Sequence, residues 1–383
     1  MQKRKIRTII NRLLQSFILV FLLVACEKKI VVKTPNLYID PLPGEIEQVQ
    51  GEDAFSKEQW NLEKISAPKV WDSFMSSKAV TVMLIGSGID YNHEDLRGNI
   101  FVNKKELKEK NPNTGVPYNQ KDDDADGLID NFVGWDFVDN DGLAYDKYGY
   151  DTYLAGIIGA VHNNGKGIKG ILKKVSLYPV RYINSNGQSR IPTLVRALEH
   201  ISEVKPDVVL LNLISLQFSR QEAVKNLEKK AIQNALDKAK KLSIPIVIGA
   251  GNIQNEFGSK LGIEALFTAY ENILVVTSID KSDQKPFLAN YSSRFVHTSA
   301  PGEKILTTAP ENKYEEISST HLAAAHIAAA IAYAISEYGR EKTYEDYFSA
   351  LQSEKGSREV ENLDKYVAGR NTLDLYKFLM SLK

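Results

Sequence analysis

The residues best placed to do chemistry are acidic. In the stretch DDDADGLID, Asp122, Asp124, Asp126 and Asp130 fall at positions 1, 3, 5 and 9 of an EF-hand-like spacing, with Gly127 at the turn position. Carboxylates at alternate positions can converge on one hard cation, and they repel one another unless something neutralises them. Calcium is the ion such an all-oxygen set would take. Position 12 is Val133 rather than the bidentate Glu, so the loop is not a complete EF-hand, and a solvated acidic turn is the competing reading. A second group is imidazole: His321 and His326 lie in the early turns of the Ala-rich stretch ISSTHLAAAHIAAAIA. A third is the lone thiol, Cys26.

The elements that must position these groups follow from patterning. Residues 1–25 carry a basic start (Lys3, Arg4, Lys5, Arg7, Arg12) and an apolar run from Phe17 to Ala25, which reads as a secretory signal peptide. Its ending, Leu23-Val24-Ala25-Cys26, resembles a bacterial lipobox, in which the Cys is lipidated and becomes the mature first residue. The expectation is an exported lipoprotein anchored to a membrane of the bacterial cell envelope. With no second Cys there is no intramolecular disulfide, so burial, helped by a metal, must stabilise the exported chain. Residues 26–56 are mostly polar, broken by Pro35, Pro41 and Pro43, and read as a tether, the alternative being a docking segment.

From residue 57 to Lys383 one domain is expected. AVTVMLIG (from Ala79), PDVVLLNL (from Pro206), IPIVIGAGN (from Ile244) and NILVVTSID (from Asn272) are near-continuously apolar, as strands buried on both faces of a parallel sheet are. Helical patterns lie between them, at Ile191 to Val204 and at Gln221 to Leu242. Strand and helix in alternation predict an α/β fold, a doubly wound, mostly parallel sheet with helices on both faces. The 48 Lys and Arg balance 48 Asp and Glu, so no electrostatic footprint for nucleic acid is present.

Seven stretches, in order, resemble the subtilisin-like serine peptidases (subtilases). QWNLEKISAPKVW looks like the segment opening their catalytic domain, MLIGSGIDYNHEDLRGNI the strand and loop of the catalytic Asp, and DTYLAGIIGAVHNNGKGIKGI the helix after the catalytic His. IGAGN resembles the oxyanion Asn loop, APGEKILTTAP the loop before the nucleophile, SSTHLAAAHIAAA the nucleophile helix and GRNTLDLYKFL the closing helix. Acidic inserts followed by a segment like VGWDF also occur in some subtilases and look like structural calcium sites. The resemblance spans about Gln59 to Lys383 and implies a serine endopeptidase.

The triad positions depart from it. The family's Asp-Thr-Gly reads Gly86-Ser87-Gly88, its His-Gly-Thr-His reads Tyr150-Asp151-Thr152-Tyr153, and its Gly-Thr-Ser-Met-Ala reads Ser319-Thr320-His321-Leu322-Ala323. Acid, base and nucleophile positions therefore hold Gly86, Tyr150 and His321. Asn252, the oxyanion-type residue, is kept, and a loop-tying role is expected for it. Peptide hydrolysis by this design needs a hydroxyl, an imidazole to take its proton and a carboxylate to orient the imidazole. Losing the nucleophile or base costs about 10⁶ in turnover in subtilisin, itself a member of that family. The expectation is a pseudopeptidase with a binding or scaffolding role and a peptide or protein partner; the alternative is a serine endopeptidase using displaced residues. Neighbours weighed for that role are Ser319, expected on a different helix face from His321, with Asp90 and Asp151. His93 and His326 are expected to pack. Asn212, Leu213, Ile214 and Ser215 stand where the family has Ser-Leu-Gly-Gly, and a β-branched Ile214 would obstruct a substrate strand.

Overall fold

In the computed structural model the described residues are 51–107, 119–213, 216, 218–258 and 264–383. Contacts divide the chain into residues 1–40 and 41–383. The first unit, with the signal segment and Cys26, lies outside the described residues. No described helix is long and apolar enough to cross a membrane.

Two short helices, α1 (Trp60–Lys64) and α2 (Ala67–Ser73), lead into β1 (Thr81–Gly86), and α2 starts at a proline-bearing first turn. There follow β2 (Trp135–Asp136), α3 (Asp151–Gly159), β3 (Ser176–Arg181), α4 (Ile191–Val204), β4 (Val208–Leu211), α5 (Glu222–Lys241), β5 (Ile246–Gly249) and β6 (Ile273–Ile279). The remainder is β7 (Thr298–Pro301), β8 (Ile305–Ala309), β9 (Lys313–Ile317), α6 (Thr320–Tyr338), α7 (Tyr344–Gln352), β10 (Ser357–Glu359), β11 (Asn371–Leu373) and α8 (Leu375–Ser381). Nine strands form one sheet in the order β10-β11-β7-β6-β5-β4-β1-β3-β2, parallel throughout except for the β10–β11 edge pair, while β8 and β9 make a separate hairpin.

The four apolar runs expected as strands are β1, β4, β5 and β6, side by side at the centre. Val82, Leu84, Val209, Leu211, Ile246, Ile248 and Val275 are buried whichever face they point to, because helices cover both. α6 packs against β5, β6 and α3, and its residues from Thr320 to Ser336 are all buried. Alanine suits that place: a slim helix lies close to the sheet, and a Cβ added at Gly249 on β5 would already stand 2.8 Å from the His321 backbone nitrogen. Ordered structure also begins before residue 57. Gly51 N–H donates to the Asn163 carbonyl at 3.0 Å, Phe55 N–H to that of Gly167 at 2.7 Å, and Asp53 accepts from the N–H groups of Asn163 and Asn164. The last part of the expected tether is therefore docked on the domain.

Candidate active site

Gly86 ends β1 at the carboxyl end of the sheet, where open α/β sheets hold their sites. A Cβ added there would lie 2.0 Å from Oδ2 of Asp151. Asp151 is the first residue of α3, where a carboxylate is favoured by the helix dipole. Its Oδ2 accepts from Ser87 N–H at 2.9 Å, its Oδ1 accepts from Asn212 Nδ2 at 2.6 Å, and its own N–H donates to Ser87 Oγ at 2.9 Å. Burial, reinforced by the charge of Asp146, pushes this carboxyl up to about 8. The carboxyl missing from the strand is thus supplied from the helix into nearly the same space. Set against the motifs expected from the sequence, Gly86 on β1 stands where Asp was expected, and Asp151 at the start of α3 stands where Gly was expected. Sequence reading treated Asp151 only as a neighbour of Tyr150; the paired inversion of Gly and Asp was the signal available.

Tyr150 caps α3, and its hydroxyl donates to Ser319 Oγ at 2.6 Å. Ser319 caps α6 from extended backbone at φ −168°, and its Oγ also accepts from His321 N–H at 3.1 Å and from Asn252 Nδ2 at 3.0 Å. The remaining hydroxyl proton has His321 Nδ1 within 3.2 Å. This corrects the expectation that Ser319 and His321 lie on different faces: Ser319 precedes the helix, so its side chain folds back over the first turn. The Asn252 carbonyl oxygen accepts from Thr320 N–H at 2.9 Å, so both ends of that amide are bonded to the start of α6.

The chemistry available is poor. Burial pushes the Tyr150 phenol up to about 12 and the His321 imidazole down to about 4, so neither is poised to move a proton near neutrality. His321 Nε2 is buried and has no hydrogen-bond partner among the described residues. The hydrogen bonds of the Asp151 carboxylate go to Ser87 and Asn212 rather than to an imidazole. Ser319 Oγ is already held by Tyr150 Oη, Asn252 Nδ2 and the His321 N–H, which weakens it as a nucleophile and ties one of the two Asn252 amide hydrogens into the same group.

The profile of the Subtilase family matches residues 77–362. The chain belongs to the subtilase family. Subtilisin-like protease 1 of Plasmodium berghei (strain Anka) is 27% identical over 319 residues, covering 79% of this chain and 50% of the relative. The Plasmodium vivax protein of the same name is 28% identical over 295 residues, 72% of this chain and 44% of the relative. Thermitase of Thermoactinomyces vulgaris is 27% identical over 274 residues, 72% of this chain and 81% of the relative. The chain thus spans half or less of the Plasmodium relatives and most of thermitase.

Around the subtilase positions, the other histidines have structural partners. His326 Nδ1 donates to the Leu322 carbonyl at 2.8 Å, and its Nε2 pairs with Asn61 Nδ2 at 2.9 Å. His93 Nδ1 accepts from Asp95 N–H at 3.1 Å, and its Nε2 donates to the Lys313 carbonyl at 3.0 Å. Asp90 accepts from Asn92 N–H at 3.1 Å and from Glu311 N–H at 2.8 Å, away from the Ser319 group. The Tyr148 ring stacks on Tyr150 with centroids 6.4 Å apart, and it comes within 2.6 Å of where a Cβ on Gly187 would stand. Ile214 and Ser215 lie outside the described residues.

The acidic loop is regrouped by the fold. Oxygens of Asp122, Asp124 and Glu106 lie within 4.8 Å of one another, a spacing and donor set that fit a hard dication such as calcium. Asp126 and Asp130 are not in that group. Asp130 spends its two oxygens on the N–H groups of Asn119 and Gln120, and Asp126 accepts from Leu128 N–H and Asn131 Nδ2. Gly127 takes φ +92° at the turn, as its position in the spacing requires. Glu106 is buried and accepts from the N–H groups of Asp123, Asp124 and Asp130; burial raises its carboxyl. It lies sixteen residues before Asp122 and was invisible to a contiguous pattern.

Proposed function

We propose that this subtilase has left peptide hydrolysis and acts as a binding or scaffolding protein at the bacterial cell-envelope membrane, held there by lipid on Cys26. What carries the reading is the filled acid position. Asp151 takes the space of the missing Gly86 side chain and is hydrogen-bonded to Ser87 and Asn212, and among the described residues no imidazole pairs with it. The partner is a peptide or another protein. Calcium on Glu106, Asp122 and Asp124 belongs to the same proposal, as a stabiliser that neutralises their charge.

One observation favours the rival reading, a serine endopeptidase working with displaced residues: Ser319 Oγ and His321 Nδ1 are 3.2 Å apart. Casein degradation and labelling by a serine-directed fluorophosphonate separate the two. The proposal expects neither turnover nor label. Casein cleavage that disappears with Ser319→Ala, or fluorophosphonate on Ser319, establishes the rival instead.

A further inference from the structure

At the opposite rim of the sheet from Gly86 and Asn252, where β4 and β5 begin, the fold leaves a cavity of about 530 Å³ between those strands, the end of α6 and the start of α7. Its size falls in the range of about 300–1,000 Å³ usual for small-ligand sites. Leu242, Ile244 and Ile335 give it apolar walls, and Lys205, Arg340 and Lys342 stand around them. The one carboxylate in the lining, Asp207, is buried and committed: it accepts from Thr81 N–H at 2.8 Å and from Arg340 Nε at 2.5 Å. Asp346, on the first turn of α7, is engaged in the cap of that helix through Thr343. The ammonium groups of Lys205 and Lys342 enter no ion pair or hydrogen bond among the described residues. Tyr347, also in the lining, is 2% exposed and its buried hydroxyl has no partner.

The orphaned hydroxyl is costly and the two ammonium groups are uncommitted. A buried hydroxyl without a partner forfeits its solvation, and the two surface lysines at the rim have no protein counter-charge among the described residues to satisfy them. One class of ligand answers all of them together. We propose that this cavity is a binding site for an organic anion with an apolar body, of which a medium-chain carboxylate is the simplest member. The chain would lie against Leu242, Ile244 and Ile335, and the head group would meet Lys205, Lys342 and the Tyr347 hydroxyl. The site is independent of the subtilase positions and of any peptidase activity.

The test uses the full chain purified as Cys26→Ser, so that no attached lipid competes, with decanoate, 1-decanol and decyltrimethylammonium titrated calorimetrically. Decanoate is expected to bind at least about tenfold more tightly than decanol, with decyltrimethylammonium silent. A diazirine-bearing decanoate is expected to crosslink peptides containing residues 242–245 or 340–347. Lys205→Gln with Lys342→Gln should bring decanoate down to the level of decanol, and Tyr347→Phe should weaken it about threefold. Both lysines are at the surface, and Lys342→Gln alone serves if the pair does not fold. Equal binding of decanoate and decanol by the parent, unchanged decanoate binding by the lysine variants, crosslinks elsewhere, or no decanoate binding up to about millimolar would each overturn the proposal.

Discussion

Restoring the triad acid by Gly86→Asp should damage the protein rather than revive it. The new Cβ would stand 2.0 Å from Asp151 Oδ2 and 2.5 Å from Cγ and Oδ1, well inside van der Waals contact. Overpacking of this kind costs about 1–3 kcal/mol, and a second carboxyl without a partner in a buried site adds about 3–5. A loss of at least about 4 kcal/mol follows, or roughly 5 °C or more in Tm for a chain of this size. Asp151→Gly alone should also destabilise, by about 2–4 kcal/mol, since it strips the acceptors from Ser87 N–H and Asn212 Nδ2. Together the two changes transfer the carboxyl back to the strand. The double variant should then be more stable than Gly86→Asp alone, with a favourable coupling of about 3 kcal/mol or more in a double-mutant cycle. The assay is urea unfolding of all four proteins at one pH. A Gly86→Asp protein as stable as the parent, or additive single effects, would refute the idea that strand and helix compete for one carboxyl. The same reasoning makes reactivation a four-residue problem: Gly86→Asp, Asp151→Gly, Tyr150→His and His321→Ser.

Other outcomes follow from the same structure. The Asp151 carboxyl is raised to about 8 and that of Asp95 to about 7, both first by burial, against about 3.9 in an unfolded chain. The folded state therefore binds more protons, so the stability these groups supply is complete below about pH 4 and is lost as pH rises through about 7 to 8; Asp151→Asn should flatten that decline, measured as unfolding free energy at several pH values. Calcium should raise Tm, and Asp124→Ala should abolish the rise, whereas Asp130→Asn should leave it in place because the Asp130 oxygens serve Asn119 and Gln120. Ser319→Ala removes the α6 cap and the acceptor for Tyr150 and Asn252, and should cost about 0.5–2 kcal/mol in urea unfolding. In the core, Ile248→Ala on β5 should cost about 2–5 kcal/mol by the same measure.

The sheet could be read from the sequence because strands covered on both sides must be apolar along nearly their whole length, and β1, β4, β5 and β6 are, with Thr277 and Ser278 near the end of β6 as the buried polar exceptions. α4 could be read to the residue because Pro192 marks its start and an apolar stripe runs its length, while Lys205 ends it in the left-handed region at φ +53°. Relationships across the chain were harder to read. Asp151 fills the space beside Gly86 from 65 positions away, and Glu106 joins Asp122 and Asp124 from another loop. Ser319 was misjudged for a local reason: face-counting assumes helical backbone, and the capping residue is extended. The docking of residues 51–56 depends on bonds between backbone groups and on Asp53, which leave no periodicity to detect.

The enclosed alanine helix separates the part of the fold that bears on chemistry from the part that bears on stability. Every position from Thr320 to Ser336 is shut away from water, yet only the opening turn faces the old reaction centre. The later turns hold the molecule together through methyl groups and have no stake in what the first turn displays. Substitutions in the opening turn of this rod can therefore be made while the packing that keeps the protein folded is left undisturbed.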